Sequence, residues 1–286
     1  MRIEAFYRPE TIDGALTLLE QISGAKIIAG GTDIVIALNE RKINPLALVD
    51  ITGISELRRI WEERDTLHIG AAVTFSELQS SELVRRYCPS LCEAASEMGA
   101  VQIRNLATIG GNVANAAAAA DGVPPMLSMN ACAVVRSVNN VRCVPLAEII
   151  TGINQNSLAT NEMISEFQIM DLPNTLKVFE KIGRRKALAI SRINLAVCAE
   201  MSGRMVKSIA IVVGAVGKKA YHVKEVEEYL QNRELSESAI LTATNIMDET
   251  VARNLAGRST TPYKRKIAGA VLKRSIERIV GGCGNE

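Results

Sequence analysis

Aromatic residues are scarce in this chain. They make up 3% of its 286 residues, so the core must be mostly aliphatic, and the base-stacking platforms typical of single-strand nucleic-acid binders are nearly absent. Histidine is scarcer still, with only His68 and His222. A metal cluster or a Ser-His-Asp triad therefore has almost nothing from which to be built.

The cysteines and the charges also exclude several classes of function. Six cysteines are dispersed without a Cys-x-x-Cys pair, which favours reduced, mostly buried thiols over an iron–sulfur or zinc site. The net charge is +2, with 33 basic and 31 acidic residues spread along the chain. Such a balance gives no long-range field that would attract nucleic acid or anionic lipid.

No segment of the sequence has the character of a signal peptide or a membrane span. The first residues, MRIEAFYRPETIDGAL, lack a basic region followed by an apolar core, and the longest apolar region, VANAAAAADGV, is interrupted by Asn and Asp. We therefore expect a cytoplasmic protein without a membrane partner. The hydrophobic fraction of 48% is sufficient for globular cores.

Apolar periodicity predicts an α/β unit at the start of the chain. Apolar residues between 12 and 19 recur at helical spacing, and Lys26–Ala29 and Ala47–Asp50 are short apolar strands. Thr32 is well placed to cap a helix that runs to about Arg41.

Antiparallel strands are predicted further along the chain. The middle third begins with a strand Leu67–Gly70, a capping box Thr74-Phe75-Ser76-Glu77, and a helix with Leu91, Ala94, Ala95 and Met98 on one face. A hairpin follows, formed by Ala131–Arg136 and Val141–Val144 around Asn139-Asn140, and then a strand Met163–Met170. After a boundary at Asp171–Asn174, we expect three strands near Lys177–Ile182, Ile190–Met201 and Ser208–Val216, then three helices, and a disordered tail at Gly281-Gly282-Cys283-Gly284.

Two adjacent glycines follow an apolar run twice, as Gly30-Gly31 in AGGTD and as Gly110-Gly111 in ATIGGN. A glycine pair permits positive φ and exposes consecutive amide N–H groups, which bind anions. One such pair is more often a tight turn, but two on opposite sides of a cleft would suit the pyrophosphate of a dinucleotide. Neither GxGxxG nor GxxxxGK[ST] is present, which argues against a Rossmann NAD site and a nucleoside triphosphatase.

Longer segments around these motifs extend across nearly the whole chain. They are FYRPETIDGALTLL, IIAGGTDIVIALN, LVDITGISEL, LHIGAAVTFSEL, MGAVQIRNLATIGGNVANA and FEKIGRRKALAIS. In this order they resemble the flavin-binding medium subunit of the molybdenum hydroxylases, the family of xanthine, nicotinate and carbon monoxide dehydrogenases. The resemblance implies an α+β chain: an FAD-binding domain of the PCMH/VAO type over 1–172, with α/β subdomains at about 1–55 and 56–172, and a C-terminal domain of antiparallel sheet and helices over 175–284.

The resemblance also implies which residues contact FAD, and none is catalytic or a metal ligand. Residues 27–34 and 108–112 would enclose the pyrophosphate, Asp121 would accept hydrogen bonds from the adenosine ribose, and Lys181 would place a cation beside the flavin. Gly99 would touch the cofactor, and Met163 or Ile164 would contact the flavin ring. The full implied set is Ile27, Ile28, Ala29, Gly30, Gly31, Thr32, Asp33, Ile34, Gly99, Thr108, Ile109, Gly110, Gly111, Asn112, Asp121, Met163, Ile164 and Lys181.

Several of these residues, and a neighbouring arginine, have plainer interpretations. Asp121 is comparably suited to cap a helix over Gly122–Met129. Ile164 suits ordinary sheet core, and Arg104 an exposed ion pair. A basic run suits a solvated surface, a nicotinamide dinucleotide phosphate or a partner subunit, and consists of Lys181, Arg184, Arg185 and Lys186.

The function implied by the resemblance is electron transfer. In the family, a large molybdopterin subunit hydroxylates the substrate, a small subunit passes electrons through two [2Fe-2S] clusters, and FAD delivers them, commonly to NAD+. This chain has no cysteine spacing for those clusters, so we expect an FAD module within a heterotrimer, or a dimer of heterotrimers, acting on a purine or N-heteroaromatic substrate. We expect Gly31→Val or Gly111→Val to abolish FAD binding. A stand-alone FAD-dependent reductase of related fold and a non-catalytic nucleotide-binding protein remain alternatives.

Overall fold

The computed structural model describes residues 3–183 and 190–282. The first elements are β1 (Ala5–Tyr7), α1 (Ile12–Gln21), β2 (Lys26–Ile28), α2 (Ile34–Asn39) and β3 (Ala47–Asp50). The three strands form a parallel sheet in the order β1-β3-β2. Helix α1 starts where Thr11 Oγ1 accepts a hydrogen bond from the Gly14 amide (3.1 Å), and its apolar face is buried in the core with this sheet. The predicted α/β unit is confirmed.

A five-stranded antiparallel sheet forms the centre of the chain. The strands of this region are β4 (Ile60–Glu63), β5 (Thr66–Gly70), β6 (Cys132–Arg136), β7 (Val141–Pro145), a short ribbon of β8 (Ile150–Gly152) and β9 (Gln155–Asn156), and β10 (Met163–Met170). The sheet order is β4-β5-β10-β6-β7. The predicted hairpin and the predicted strand Met163–Met170 are confirmed. A bulge between Ile164 and Glu166 interrupts the pairing of β10 with β6.

Seven short helices accompany this sheet in the described part of the chain. They are α3 (Phe75–Ser80), α4 (Glu82–Tyr87), α5 (Pro89–Glu97), α6 (Val101–Arg104), α7 (Ile109–Asn115), α8 (Val123–Ser128) and α9 (Leu146–Ile149). The capping box is confirmed, because Thr74 Oγ1 accepts from the Glu77 amide (3.2 Å) while the Glu77 carboxylate accepts from the Thr74 amide (2.8 Å). All of these helices except α6 share with the sheet one apolar core that includes Phe75, Tyr87 and Phe167.

The rest of the chain is a second antiparallel sheet followed by helices. Its elements are β11 (Thr175–Gly183), β12 (Ser191–Ser202), β13 (Met205–Gly214), β14 (Tyr221–His222), α10 (Lys224–Leu230), α11 (Glu237–Asn254) and α12 (Thr261–Gly282). The strands pair in chain order, so the three predicted strands are confirmed. The prediction of a disordered tail is wrong for Gly281 and Gly282, because α12 continues through them, while Cys283 and Gly284 lie outside the described residues.

Five cysteines lie in the described ranges, and all of them are free thiols. Cys88, Cys92 and Cys198 are buried, and burial raises the pKa of Cys88 to about 11. No three metal-ligating side chains within residues 3–183 and 190–282 are placed to hold a metal ion. In the same ranges, no helix combines the length and the apolar character that crossing a bilayer requires.

Candidate functional site

The first Gly–Gly loop joins β2 to α2 and leaves a row of backbone amides unused. Gly31 has φ of +73°, a conformation that favours glycine. Within the described ranges, no protein acceptor receives the N–H groups of residues 30 to 34, whereas the Val35 amide donates to the Gly31 carbonyl at 3.0 Å. Five consecutive unpaired amides are suited to an anion.

Thr32 does not cap α2, so that prediction is wrong. Helix α2 begins at Ile34, its N-cap residue is Asp33, and no side chain makes a capping hydrogen bond there. The helix also ends at Asn39 rather than near Arg41, which has φ of +57°. The turn at Gly31 delays the start of the helix, and this delay is what keeps the preceding amides free.

The second Gly–Gly loop opens α7, and its amides are already hydrogen-bonded. Thr108 Oγ1 accepts from the Gly111 amide at 3.1 Å as an N-cap. The Ile109 and Gly110 amides donate to the carbonyls of residues 73 and 71, each at 2.9 Å, and the Asn112 amide donates to the Thr108 carbonyl at 2.9 Å. The expectation of exposed consecutive amides is therefore wrong for this loop.

Gly110 allows α7 to pack directly on the chain that follows β5. A Cβ at Gly110 would lie 2.6 Å from the Ala71 carbonyl oxygen and 2.7 Å from the Ala71 Cβ. Both distances are shorter than any real Cβ contact, so only glycine fits without a backbone shift. The glycine serves close packing here rather than anion binding.

The two loops touch each other. A Cβ at Gly30 would lie 1.8 Å from the Leu106 carbonyl oxygen, so the Gly30 backbone rests against the residues that precede Thr108. Burial raises the pKa of Asp33, and the side chain of Asn115, at the end of α7, acts on that pKa in the opposite direction. The structure therefore brings residues 27–34 and 108–112 to one place.

Gly99 lies in a turn that Arg104 holds together. Gly99 has φ of +46°, and Arg104 Nη1 donates to the carbonyl oxygens of Met98 (3.1 Å) and Gly99 (3.2 Å). The interpretation of Arg104 as an exposed ion-pair partner is wrong, because its guanidinium binds backbone carbonyls. Its Nε is buried and has no partner among the described residues.

Asp121 is buried against strands β11 and β12 of the C-terminal sheet, and it does not cap a helix. Helix α8 begins at Val123 after Gly122, without a side-chain cap. Instead, Asp121 Oδ1 accepts hydrogen bonds from Ser191 Oγ (2.5 Å) and Asn194 Nδ2 (2.7 Å). Asp121 Oδ2 accepts from Lys181 Nζ at 2.6 Å.

Lys181 is a buried residue rather than part of a solvated surface. Its side chain is 6% exposed and that of Asp121 is 7% exposed, so the two form an ion pair shielded from water. Lys181 Nζ also donates to the Glu97 carbonyl at 2.9 Å, two residues before Gly99. The other members of the basic run, Arg184, Arg185 and Lys186, lie outside the described residues.

Met163 and Ile164 both lie in apolar cores. Met163 is 1% exposed and packs in the core of the first sheet, whereas Ile164 is 5% exposed and packs in the core of the five-stranded sheet. The interpretation of Ile164 as sheet core is confirmed. With both side chains buried, this segment offers a neighbouring ring mainly its backbone.

Three residues of this arrangement were not anticipated from the sequence. Ser191 and Asn194 are buried polar residues in the mostly apolar stretch SRINLAVCA, and a polar residue at a core position was the only available signal for them. Leu106 contributes its backbone, for which the sequence gives no signal.

The donors and acceptors fit a dinucleotide with phosphate and hydroxyl groups. The free amides of 30–34 suit phosphate oxygens. The buried Oδ1 of Asn112 has no hydrogen-bond partner among the described residues. It lies close to Gly122, since a Cβ built on that glycine would be 2.9 Å from this oxygen. An unpaired buried acceptor of this kind suits a hydroxyl or amino donor.

Comparison with known proteins gives matches over nearly the full length. Residues 1–170 match the FAD binding domain in molybdopterin dehydrogenase, and residues 177–279 match the CO dehydrogenase flavoprotein C-terminal domain. The nicotinate dehydrogenase FAD-subunit of Eubacterium barkeri is 33% identical, with 97% of this chain and 98% of the relative covered. The xanthine dehydrogenase FAD-binding subunit of Escherichia coli O157:H7 is 29% identical, with 99% and 98% covered.

A solved structure has the same fold. In carbon monoxide dehydrogenase from Hydrogenophaga pseudoflava, one chain superposes with a TM-score of 0.90 at 29% identity, with 99% of this chain and 98% of that chain covered. Both halves of the sequence and the full architecture therefore agree. This chain belongs to the FAD-binding medium subunits of the molybdenum hydroxylase family, it is a flavoprotein oxidoreductase subunit, and its cofactor is FAD.

Proposed function

We propose that this chain receives electrons from the [2Fe-2S] clusters of a small partner subunit and passes them through FAD to NAD+. The substrate, a purine or another N-heteroaromatic compound, would be hydroxylated at the molybdopterin centre of a large partner subunit. The observation that carries the proposal is the row of amides at 30–34 that have no acceptor among the described residues, and the buried Asp121–Lys181 pair adds to it. One element suits a pyrophosphate, and the other places a cation within the same site.

Relatives support the substrate class by their names. They include nicotinate, xanthine and caffeine dehydrogenase subunits and a nicotine 6-hydroxylase medium subunit, all named for N-heterocyclic compounds. Medium chains of glyceraldehyde and carbon monoxide dehydrogenases are also similar, at 22% and 29% identity. The nicotinate relative has the higher identity of those named, at 33%, which favours the heteroaromatic class.

The sheets suggest how the cofactor would be held. We assign 1–172 to the FAD-binding domain, with subdomains at about 1–55 and 56–172, and 175–284 to the C-terminal domain. FAD would extend between the subdomains, with its pyrophosphate on the amides of residues 30–34. The second loop, Thr108–Asn112, would close the other side and offer the Asn112 acceptor.

The chain's own residues would control the electrostatics and the access of water. FAD, when bound, supplies the electron-transfer chemistry. Lys181 would place an ammonium donor beside the flavin, with Asp121 balancing part of its charge, and such a donor favours the reduced, anionic form of a neighbouring flavin. Donors in the described part of the chain occupy three of the four acceptor positions of Asp121, which leaves about one for a hydroxyl of the cofactor. Gly99 and the 163–164 segment would border the ring.

The first test is the visible spectrum of the purified chain. We expect flavin absorption, and FAD on chromatography of the cofactor released by denaturation. A chain that is colourless and takes up no FAD after refolding in excess FAD would contradict the assignment.

The electron acceptor needs a separate experiment. Anaerobic mixing of the FAD-loaded chain with NADH should bleach the flavin band, because hydride transfer between the two is reversible. Bleaching by dithionite without any bleaching by NADH would refute NAD+ as the acceptor while leaving FAD binding intact.

A further inference from the structure

Among the described residues, the side chains that hydrogen-bond to the carboxylate of Asp121 all come from the C-terminal sheet. Its three hydrogen bonds come from β11 and β12, at 2.5 Å from Ser191, 2.7 Å from Asn194 and 2.6 Å from Lys181. The donors lie 60 to 73 positions further along the chain. A residue of the FAD-binding half is thus held in position by the other half.

The contact with Asp121 explains why Ser191 and Asn194 are polar residues in the core of their strand. Asn194 is fully buried and Ser191 is 6% exposed, and burying a polar group is unfavourable unless it is hydrogen-bonded. The only side-chain partner that either residue has in the described part of the chain is Asp121. An apolar residue at either position would pack in β12 without this penalty, so the two donors serve the carboxylate.

The orientation of the Asn194 amide is fixed by the same contact. Its Nδ2 faces Asp121 Oδ1, since a reversed amide would place two oxygen atoms against each other. Its Oδ1 is consequently buried beside Gly214 with no partner among the described residues. Burying an acceptor without a partner costs free energy, so the hydrogen bond from Asn194 Nδ2 to Asp121 must outweigh that cost.

Among the described residues, the ammonium of Lys181 has acceptors for two of its three hydrogens. Lysine carries three N–H donors, and two are directed to Asp121 Oδ2 and to the Glu97 carbonyl. With these two acceptors fixed, the direction of the third N–H is also fixed. A loosely held Asp121 would let the ammonium rotate and displace that third hydrogen.

We propose that Ser191 and Asn194 are positioning residues of the flavin site, an inference that rests on the FAD-binding role proposed above. By donating to Oδ1, they hold Oδ2 of Asp121 toward Lys181, and thereby fix the position of the ammonium and of the third N–H that Lys181 would present to the flavin. The C-terminal sheet thus sets the electrostatics of a cofactor bound mainly by residues 1–172.

A purely mechanical tie between the two halves would behave differently. The halves are also joined by the Phe179 amide, which donates to Glu93 Oε2 at 2.8 Å, and by the Ala215 amide, which donates to the Ala118 carbonyl at 2.7 Å. Loss of one donor to Asp121 should therefore leave the halves joined. Its effect should be measurable on the flavin itself.

The test compares Ser191→Ala and Asn194→Ala with Ser202→Ala in the full-length chain. Ser202 is the exposed last residue of the same strand and serves as a matched control. FAD affinity is measured by fluorescence titration of the deflavinated chain, and the midpoint potential of bound flavin by spectroelectrochemistry. We expect the preference for reduced flavin to fall about tenfold in both variants, a shift of about 30 mV to lower potential for a two-electron couple. Ser191→Thr, which keeps the hydroxyl, should restore the wild-type potential.

The possible results separate this inference from the proposed function. Variants that bind FAD at the wild-type potential, whatever their thermal stability, would overturn the positioning role. A wild-type chain that takes up no FAD would instead refute the proposed function. Ser191→Ala removes a single oxygen atom, so it keeps the test decisive should Asn194→Ala fail to fold.

Discussion

Replacing Gly30 by alanine tests whether the two Gly–Gly loops must touch for FAD to bind. A Cβ at this position would lie 1.8 Å from the Leu106 carbonyl oxygen and 2.4 Å from the Leu106 carbonyl carbon. Both are backbone atoms, and real Cβ contacts below 3.0 Å are essentially never seen. The loops would have to separate by more than about 1 Å, and overpacking of this kind destabilises a protein by about 1–3 kcal/mol.

The same strain should appear in the affinity for FAD. If the loops relax apart in the free variant, bound FAD must bring them together again, and 1–3 kcal/mol corresponds to an increase in Kd of about 5- to 150-fold. Fluorescence titration of the deflavinated chain measures this change. Gly53→Ala is the matched control, because its Cβ would meet no atom within 4 Å and Gly53 has no positive φ. Equal FAD affinity in the two variants would refute the role assigned to the loop contact.

Three further predictions concern the site and the stability of the chain. Gly31→Val should abolish FAD binding, since valine is strongly strained at φ of +73°. For Gly111→Val we revise the expectation drawn from the sequence: Gly111 is exposed in α7 and its amide already binds Thr108, so this change should weaken FAD binding only slightly, and equilibrium dialysis distinguishes the two variants. Lys181→Met should lower the free energy of unfolding by about 1–3 kcal/mol, because its buried carboxylate partner loses a donor, and urea unfolding would show it. Burial raises the pKa of Glu227, but three hydrogen bonds outweigh burial and lower that pKa from its ordinary value of 4.5. The ionised carboxylate therefore stabilises the fold above its unfolded pKa, and this stabilisation is lost as the pH falls through the folded pKa. Glu227→Gln should reduce the difference in stability between pH 7 and pH 4, and an unchanged difference would contradict the assignment.

Local signals were sufficient to predict most elements of the fold. The turn at Asn139-Asn140 lies between two apolar runs, and these runs pair with each other in the structure. The capping box at Thr74 depends on residues only three positions apart, so it too could be recognised from the sequence. The start of α2 was misplaced because the φ of Gly31 sets it, and sequence does not specify whether a glycine takes positive φ.

The polar contacts of the site depend on tertiary structure, which no local pattern encodes. Asp121 precedes α8 and has the residue type of an N-cap, yet its partners come from strands 60 to 73 positions away. The carboxylate accepts hydrogen bonds from two residues of β12 and a lysine of β11, and not from the first amides of α8. Sequence similarity named Asp121 and Lys181 as site residues but gave no indication that they bind each other.

The two glycine pairs have the same sequence and different physical roles. The amides of the first loop have no acceptor among the described residues because Gly31 turns the chain before α2 begins, so this loop is suited to bind an anion. The amides of the second loop hold α7 to the chain after β5, and Gly110 permits that packing. We infer that the hydrogen bonds to a pyrophosphate come mainly from one side of the cleft, whereas the other side fixes the width of the cleft. A Gly–Gly pair therefore indicates that some group approaches the backbone closely. Whether the amides of the pair are already hydrogen-bonded within the protein determines whether that group is another part of the chain or a ligand.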